Sequence, residues 1–190
     1  NGHLVYLIGN DDSHDVSDIT DIATRFTMIN ADKNEAEKIL SSLENGNAVG
    51  VDFPIIYDET LEQKIKRLKK NLPHITQVEL NDDTLLVSAS KPISKIRFIG
   101  QEGKELKTQK NIKTGTYAIQ PEDNYVRCEL KFKDGTTLYL NPITRHENNE
   151  ITKQRLDDNS LDSVSLHHII CGISNHQTFT ESKVSSISET

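Results

Sequence analysis

Between Tyr125 and Lys133 apolar and polar side chains alternate without a break. Val126, Cys128, Leu130 and Phe132 share one face; Tyr125, Arg127, Glu129, Lys131 and Lys133 share the other. A period of two with one apolar and one charged face predicts a strand of an antiparallel sheet, buried on one side and wet on the other. Asp134-Gly135 follows and leads into Thr136–Leu140, which predicts a hairpin closed by a two-residue type I′ turn. The same period appears upstream from about Thr76: Leu85, Val87 and Ala89 alternate with Leu86, Ser88 and Ser90, and Ile96 and Phe98 share a face in a run ending near Gly100. Short strands separated by Gly, Pro and Asn predict an Ig-like antiparallel β-sandwich over residues 76–146.

The first half of the chain has a different rhythm. His3–Gly9 is an apolar, β-prone run, and Thr24–Ile29 and Ala48–Val51 read as two more short strands. Leu4, Val5, Leu7 and Ile8 make both faces of the first run apolar, which suits an inner strand of a parallel sheet covered by helices. Between the other two, Ala36, Ile39, Leu40 and Leu43 fall on one helical face over Lys33–Asn45. Asp32 is placed as N-cap, Glu35 as its capping-box partner, and Gly46 as the stop. A second helix, Glu59–Asn71, turns Leu61, Ile65 and Leu68 inward and Lys64, Lys66, Arg67, Lys69 and Lys70 outward, ending before Pro73. One helix covers only one face of His3–Gly9, so residues 1–52 are expected to self-associate or to pack poorly. Residues 147–190 are rich in Ser, Thr, Asn and Asp around one apolar island, Leu166–Ile173, and read as a polar, flexible tail.

Charge narrows the partners. The net charge is −7, and the only concentration of lysine is on the second helix, which argues against nucleic acid. No apolar run approaches the roughly 18 residues that span a bilayer. The chain opens on Asn1 and its only methionine is Met28, so upstream sequence is expected to have been removed. Cys128 and Cys171 have no CxxC spacing and imply neither a zinc knot nor a disulfide framework.

Catalytic character is concentrated in Asn10-Asp11-Asp12-Ser13-His14-Asp15. If this stretch is extended, Asp12 and His14 project to the same side, where a carboxylate and an imidazole can bind one divalent ion or bridge two. They follow an apolar strand, the position at which α/β barrels build active sites. The same residues also suit an acidic loop that merely caps a turn. His167, His168, Cys171 and His176 are metal-capable but lie in the polar tail, where chance spacing is the favoured explanation. Cys128 faces the expected core as a small apolar group. Arg127 is placed to pair with a carboxylate on a neighbouring strand or to stack on Tyr125 or Tyr139.

The apolar strand running into Gly9-Asn10-Asp11-Asp12-Ser13-His14 resembles the last metal-binding motif of the PHP (polymerase and histidinol phosphatase) phosphoesterases. Thr24-Arg25, the helix ending Leu43-Glu44-Asn45-Gly46 and the strand Ala48–Val51 resemble that family's closing barrel segment. Ile99-Gly100-Gln101-Glu102-Gly103-Lys104, Tyr125-Val126-Arg127, Asp134-Gly135 and Tyr139-Leu140-Asn141-Pro142-Ile143 are similar to a β-rich extension found after it. The resemblance covers about residues 1–146. It implies an α+β chain in which the closing α/β segment of a (β/α)7 barrel (1–52) leads through a connecting helix (53–75) to the β-sandwich. Two or three zinc, manganese or iron ions would activate water against a phosphoester. Asp12 and His14 would be metal ligands, and Asp11 would orient its neighbours. The family's HxH pair and its other His and Glu ligands are missing here, and two ligands hold a catalytic ion poorly. The chain alone is therefore expected to be inactive without the upstream barrel. The rival expectation is a non-catalytic module for a glycan or protein, for which Tyr117, Tyr125 and Tyr139 would have to form an exposed platform.

Overall fold

The computed structural model describes residues 6–15 and 17–144. The expectations for the start of the His3–Gly9 run, for His167, His168, Cys171 and His176, and for the tail from 147 lie outside the described residues. The elements in order are β1 (Arg25–Ile29), α1 (Ala36–Glu44), β2 (Ala48–Asp52), α2 (Leu61–Asn71), β3 (Ile75–Asn81), β4 (Thr84–Ile99), β5 (Glu105–Ala118), β6 (Tyr125–Lys131), β7 (Thr137–Leu140) and β8 (Ile143–Thr144).

These make an α+β fold dominated by antiparallel sheet. The strand order is β1-β2-β7-β6-β4-β3, with β5 also paired to β4 and β8 to β6. Every one of these pairings is antiparallel. The sheet is sandwich-like because its longest strands bend. β4 shifts register between Ser88 and Ile93, so its first half lies between β3 and β5 and its second between β5 and β6. β5 turns at Asn111, which has φ 53°. Beyond that turn its halves approach each other: Lys107 Nζ donates to Thr116 O at 2.8 Å, and Thr116 N–H donates to Gln109 Oε1 at 2.9 Å. Strands that turn a corner in this way fold one sheet over its own inner face. Val87 and Leu85 from one half of β4 thereby join Ile96 and Phe98 from the other, with Val51, Leu130 and Leu138, in one buried cluster.

The alternation in β6 is observed as expected. Val126, Cys128, Leu130 and Phe132 are buried, Arg127 and Glu129 are half-buried on the opposite face, and Lys131 is exposed. The hairpin to β7 differs from a type I′ turn. Phe132 N–H bonds Thr136 O at 2.9 Å, and Gly135 N–H bonds Phe132 O at 3.1 Å. Of the loop residues Lys133-Asp134-Gly135 only Gly135 has positive φ, 94°. This is a type I turn closed by a glycine bulge, the common three-residue solution.

The first half departs further from expectation. Tyr6–Gly9 belongs to no strand, and β1 and β2, expected as neighbours in a parallel sheet, run antiparallel from Arg25↔Asp52 to Ile29↔Ala48. The physical reason lies at the end of α1. The turn at Gly46 and Asn47 brings the chain straight back, Asn30 N–H bonds Asn47 O at 2.9 Å, and α1 becomes the excursion of a long hairpin rather than a crossover over a sheet face. β2 then pairs with β7, so backbone hydrogen bonds join the first fifty-two residues directly to the sandwich strands.

The box predicted from Asp32 and Glu35 is not formed. Glu35 is the extended N-cap residue of α1, and its side chain makes no cap hydrogen bond. The stop is as expected: Gly46 at φ 69° donates to Leu43 O, and Asn47 N–H donates to Ser42 O, the Schellman pair of bonds. Of the predicted apolar face, Ile39 and Leu43 are half-buried and Leu40 is exposed.

Candidate functional site

The acidic segment 10–23 leads into β1, and its own carboxylates fold it. Asn10 Oδ1 accepts Asp12 N–H at 3.1 Å, and Asp21 Oδ2 accepts His14 N–H at 3.0 Å. Asp15 accepts both Ser17 N–H at 2.8 Å and its hydroxyl; Asp18 does the same for Thr20 at 2.8 and 2.7 Å. These Asx turns hold the carboxyls of Asp15 and Asp18 below the usual range, the side-chain hydrogen bonds from Ser17 and Thr20 being the largest cause. Asp11 Oδ2 accepts Ala23 N–H, a contact that closes the loop on itself.

Asp12 and His14 are both exposed. Asp12 has φ 52°, so the stretch is kinked at the residue where an extended chain would have put both side chains on one face. The loop thus presents two metal-capable groups to solvent from a backbone fixed on either side of them. Among the described residues no three His, Cys, Asp or Glu side chains gather into a group that could hold a metal ion.

The segment is anchored from α2. Lys64, expected on the wet face, is buried, and its Nζ donates to Ile19 O at 2.6 Å and to Ile22 O. Burial pushes its ammonium pKa down and Arg67 adds to that, against the raising pull of Glu59, Asp11 and Asp18. Conversely Leu61 and Ile65, expected to turn inward, are exposed, while Leu68 packs against the core. The helix is rotated because Lys64 and Arg67 find partners inside. Arg67 lies 4.1 Å over the Phe53 ring, bonds Glu59 through two nitrogens at 2.8 and 2.6 Å, and reaches Pro54 O at 3.0 Å. Thr60 and Gln63 form the capping box that starts the helix. A Thr-x-x-Gln signal is legible in sequence; the burial of a lysine beside it is not.

Glu59 is held below its ordinary pKa chiefly by the Arg67 hydrogen bond. A carboxyl depressed on folding contributes stability that is present above its unfolded pKa and is lost as pH falls through the folded value. Glu59→Gln should therefore flatten the acid side of the stability profile below about pH 4.5, read from urea midpoints at stepped pH. An unchanged acid limb would show that the pair contributes nothing to it.

The wet face of the sheet holds a second polar group. Arg97 from β4 and Arg127 from β6 both bond Glu129, at one oxygen each. Burial raises the Glu129 pKa, and the two arginine hydrogen bonds outweigh it, leaving the carboxyl lowered. Arg127 thus pairs with a carboxylate on its own strand rather than on a neighbour. Beside this group the register sets Lys131, Lys95 and Lys110 in one row, which single-sequence reading cannot see because the three strands are far apart in the chain. Tyr117 is buried and donates to the buried Asp123 at 2.6 Å; burial first and that bond second raise its pKa. Tyr125 and Tyr139 are half-buried, so the three tyrosines do not form the exposed platform that the binding-module reading required. Cys128 is buried in the core as expected, and burial pushes its thiol up.

No helix among the described residues is long and apolar enough to cross a membrane. No family model, no curated protein and no solved structure matches the chain.

Proposed function

We propose that this chain contributes the last ligand-bearing loop of a PHP-type, metal-dependent phosphoesterase, with the antiparallel sheet as its accessory unit. The observation that carries the reading is Asp12 and His14, exposed on a loop whose backbone is pinned by Asp11, Asp21 and Lys64. A fixed backbone under exposed donors lowers the ordering cost of ligation. The donor types fit zinc, manganese or iron. Their number does not complete a site, because three or four protein ligands are usual, and the remainder would come from the barrel of the parent protein. When bound, the ions would supply hydroxide and polarise the phosphoester. Asp12 and His14 would hold them, and Asp11 would keep the loop folded through Ala23 N–H.

Manganese titration followed on the imidazole signals tests this. His14 should broaden selectively over His74, weakly and without saturating at micromolar metal, and Asp12→Ala should abolish the selectivity. Equal broadening of both imidazoles in the unsubstituted protein would remove the reading. A tight stoichiometric site lost in Asp12→Ala would instead make the chain a metalloprotein in its own right.

A further inference from the structure

We infer that Lys64 is a built-in cation that positions the acidic loop, filling from α2 an oxygen cage that the loop cannot hold together alone. Segment 10–23 carries Asp11, Asp12, Asp15, Asp18 and Asp21 and no Lys or Arg. Five carboxylates along so short a stretch repel one another, and their turns hold them at fixed places. The opposing charge comes from a helix more than forty residues further along the chain. Lys64 is 2% exposed, and its ammonium donates to Ile19 O and Ile22 O, the backbone carbonyls on either side of Thr20 and Asp21. Asp11 and Asp18 act on it through charge. Two carbonyls and nearby carboxylates around one cation are the ingredients of an oxygen-ligand ion site, here met by a tethered ammonium.

The cage reaches the candidate ligands through two hydrogen bonds of the loop. Asp21, between the two bonded carbonyls, accepts His14 N–H, and Ala23, next to Ile22, donates to Asp11. Holding Ile19 and Ile22 therefore fixes the partners that place Asp11 and His14 on either side of Asp12. Lys64 is a positioning residue in this scheme. The alternative is that Lys64 only fills space beside Leu68, its charge being incidental. The two differ in what replaces it: a charge role is restored by a cation of the right size, and a packing role by an apolar chain of the same length.

The tether stands on geometry alone and depends on the metal-loop reading only for what the loop is used for. The experiment compares Lys64→Ala, Lys64→Met and Lys64→Arg in the full chain by amide exchange over residues 17–23, with far-UV circular dichroism confirming that each folds. Lys64→Ala and Lys64→Met should exchange at least tenfold faster in that window, with β4 and β6 still protected. Adding propylammonium, the part of the side chain that alanine removes, should restore protection in Lys64→Ala, whereas propanol should not. Protection in Lys64→Met equal to the unsubstituted protein, or equal rescue by propanol, overturns the scheme in favour of packing. If no substitution at Lys64 folds, exchange at Ile19 to Ala23 in the unsubstituted protein decides the matter: protection that persists above the pH at which the ammonium is lost would also overturn the scheme. Manganese titration of the same proteins separates the two proposals. Rescue by propylammonium without selective broadening of His14 leaves the tether standing and removes the metal reading.

Discussion

Replacing Phe98 by alanine should cost about 3–5 kcal/mol of folding free energy, the range for deleting a buried aromatic ring. Against a total of roughly 5–15 kcal/mol for an ordinary domain, that alone brings the protein close to its unfolding threshold. The position explains the size of the effect. Phe98 is fully buried on the second half of β4, where it faces Cys128 on β6 across the ladder. Its ring stacks on Tyr117 at 5.5 Å and 25°, and a side chain on Gly115 would come within 3.4 Å of its tip. Phe98 and Ile96 are thus residues through which the second half of β4 touches the folded-over half of β5, and Phe98 supplies the larger, aromatic part of that contact. Removing it leaves a cavity on both sides of the corner, and the Tyr117–Asp123 hydrogen bond loses the ring that screens it. Urea unfolding should show a lower midpoint with the slope unchanged. Phe98→Leu, which keeps most of the volume, should lose only about 1 kcal/mol. A loss below that in Phe98→Ala would mean that the two halves are not held together through this ring.

Much of this core can be read from the sequence, because alternation is a local signal. Val126 to Phe132, the Leu85-Val87-Ala89 set and the Ile96–Phe98 pair each declare their inner face within a few residues. β5 does not. Its residues Glu105–Ala118 are mostly polar, because the strand is bent at Asn111 and exposes much of its surface, so no clean period of two survives. The direction of β1 against β2 is equally illegible. Two strands separated by a helix read as a parallel crossover by default, and the backbone bond from Asn30 to Asn47 that closes them as a hairpin leaves no periodic trace. Helix α2 misleads for a third reason. Its inward face holds Lys64 and Arg67, whose partners are carbonyls of Ile19, Ile22 and Pro54 and the carboxylate of Glu59, and a backbone carbonyl leaves no trace in composition. The candidate site was legible as residue types and spacing, Asp12 and His14 with Asp11 behind them. The positive φ at Asp12, which decides where those side chains go, was not.

Gly9→Ala should release the segment that carries this site while leaving the sheet intact. A β-carbon at Gly9 would lie 2.5 Å from Phe26 O and 2.9 Å from its carbonyl carbon. Those are backbone atoms of β1, held in register against β2, so the strand cannot yield and the segment must move. Moving it breaks a paired contact: Gly9 N–H donates to the Thr27 hydroxyl at 2.8 Å, and that hydroxyl donates back to Gly9 O at 3.1 Å. It also lifts Leu7 from Gly50, where the leucine covers a stretch of β2 that has no side chain of its own. Overpacking of this kind costs about 1–3 kcal/mol. Because Tyr6–Gly9 belongs to no strand, the cost falls on local opening rather than on global unfolding. Limited proteolysis within residues 6–15 should accelerate roughly 5- to 150-fold, the rate equivalent of that cost, while the urea midpoint of the sheet shifts little. Thr27→Val, which removes the two hydrogen bonds without the clash, should give a smaller acceleration. Leu7, Ile8 and Leu40 are all exposed already, and lifting Leu7 from Gly50 bares more of it, so Gly9→Ala should also associate with rising concentration in light scattering. Cleavage at the unsubstituted rate would show that the approach of Gly9 to β1 does not hold the loop. A monomer at every concentration would count against the expectation that this end of the chain associates through its apolar residues.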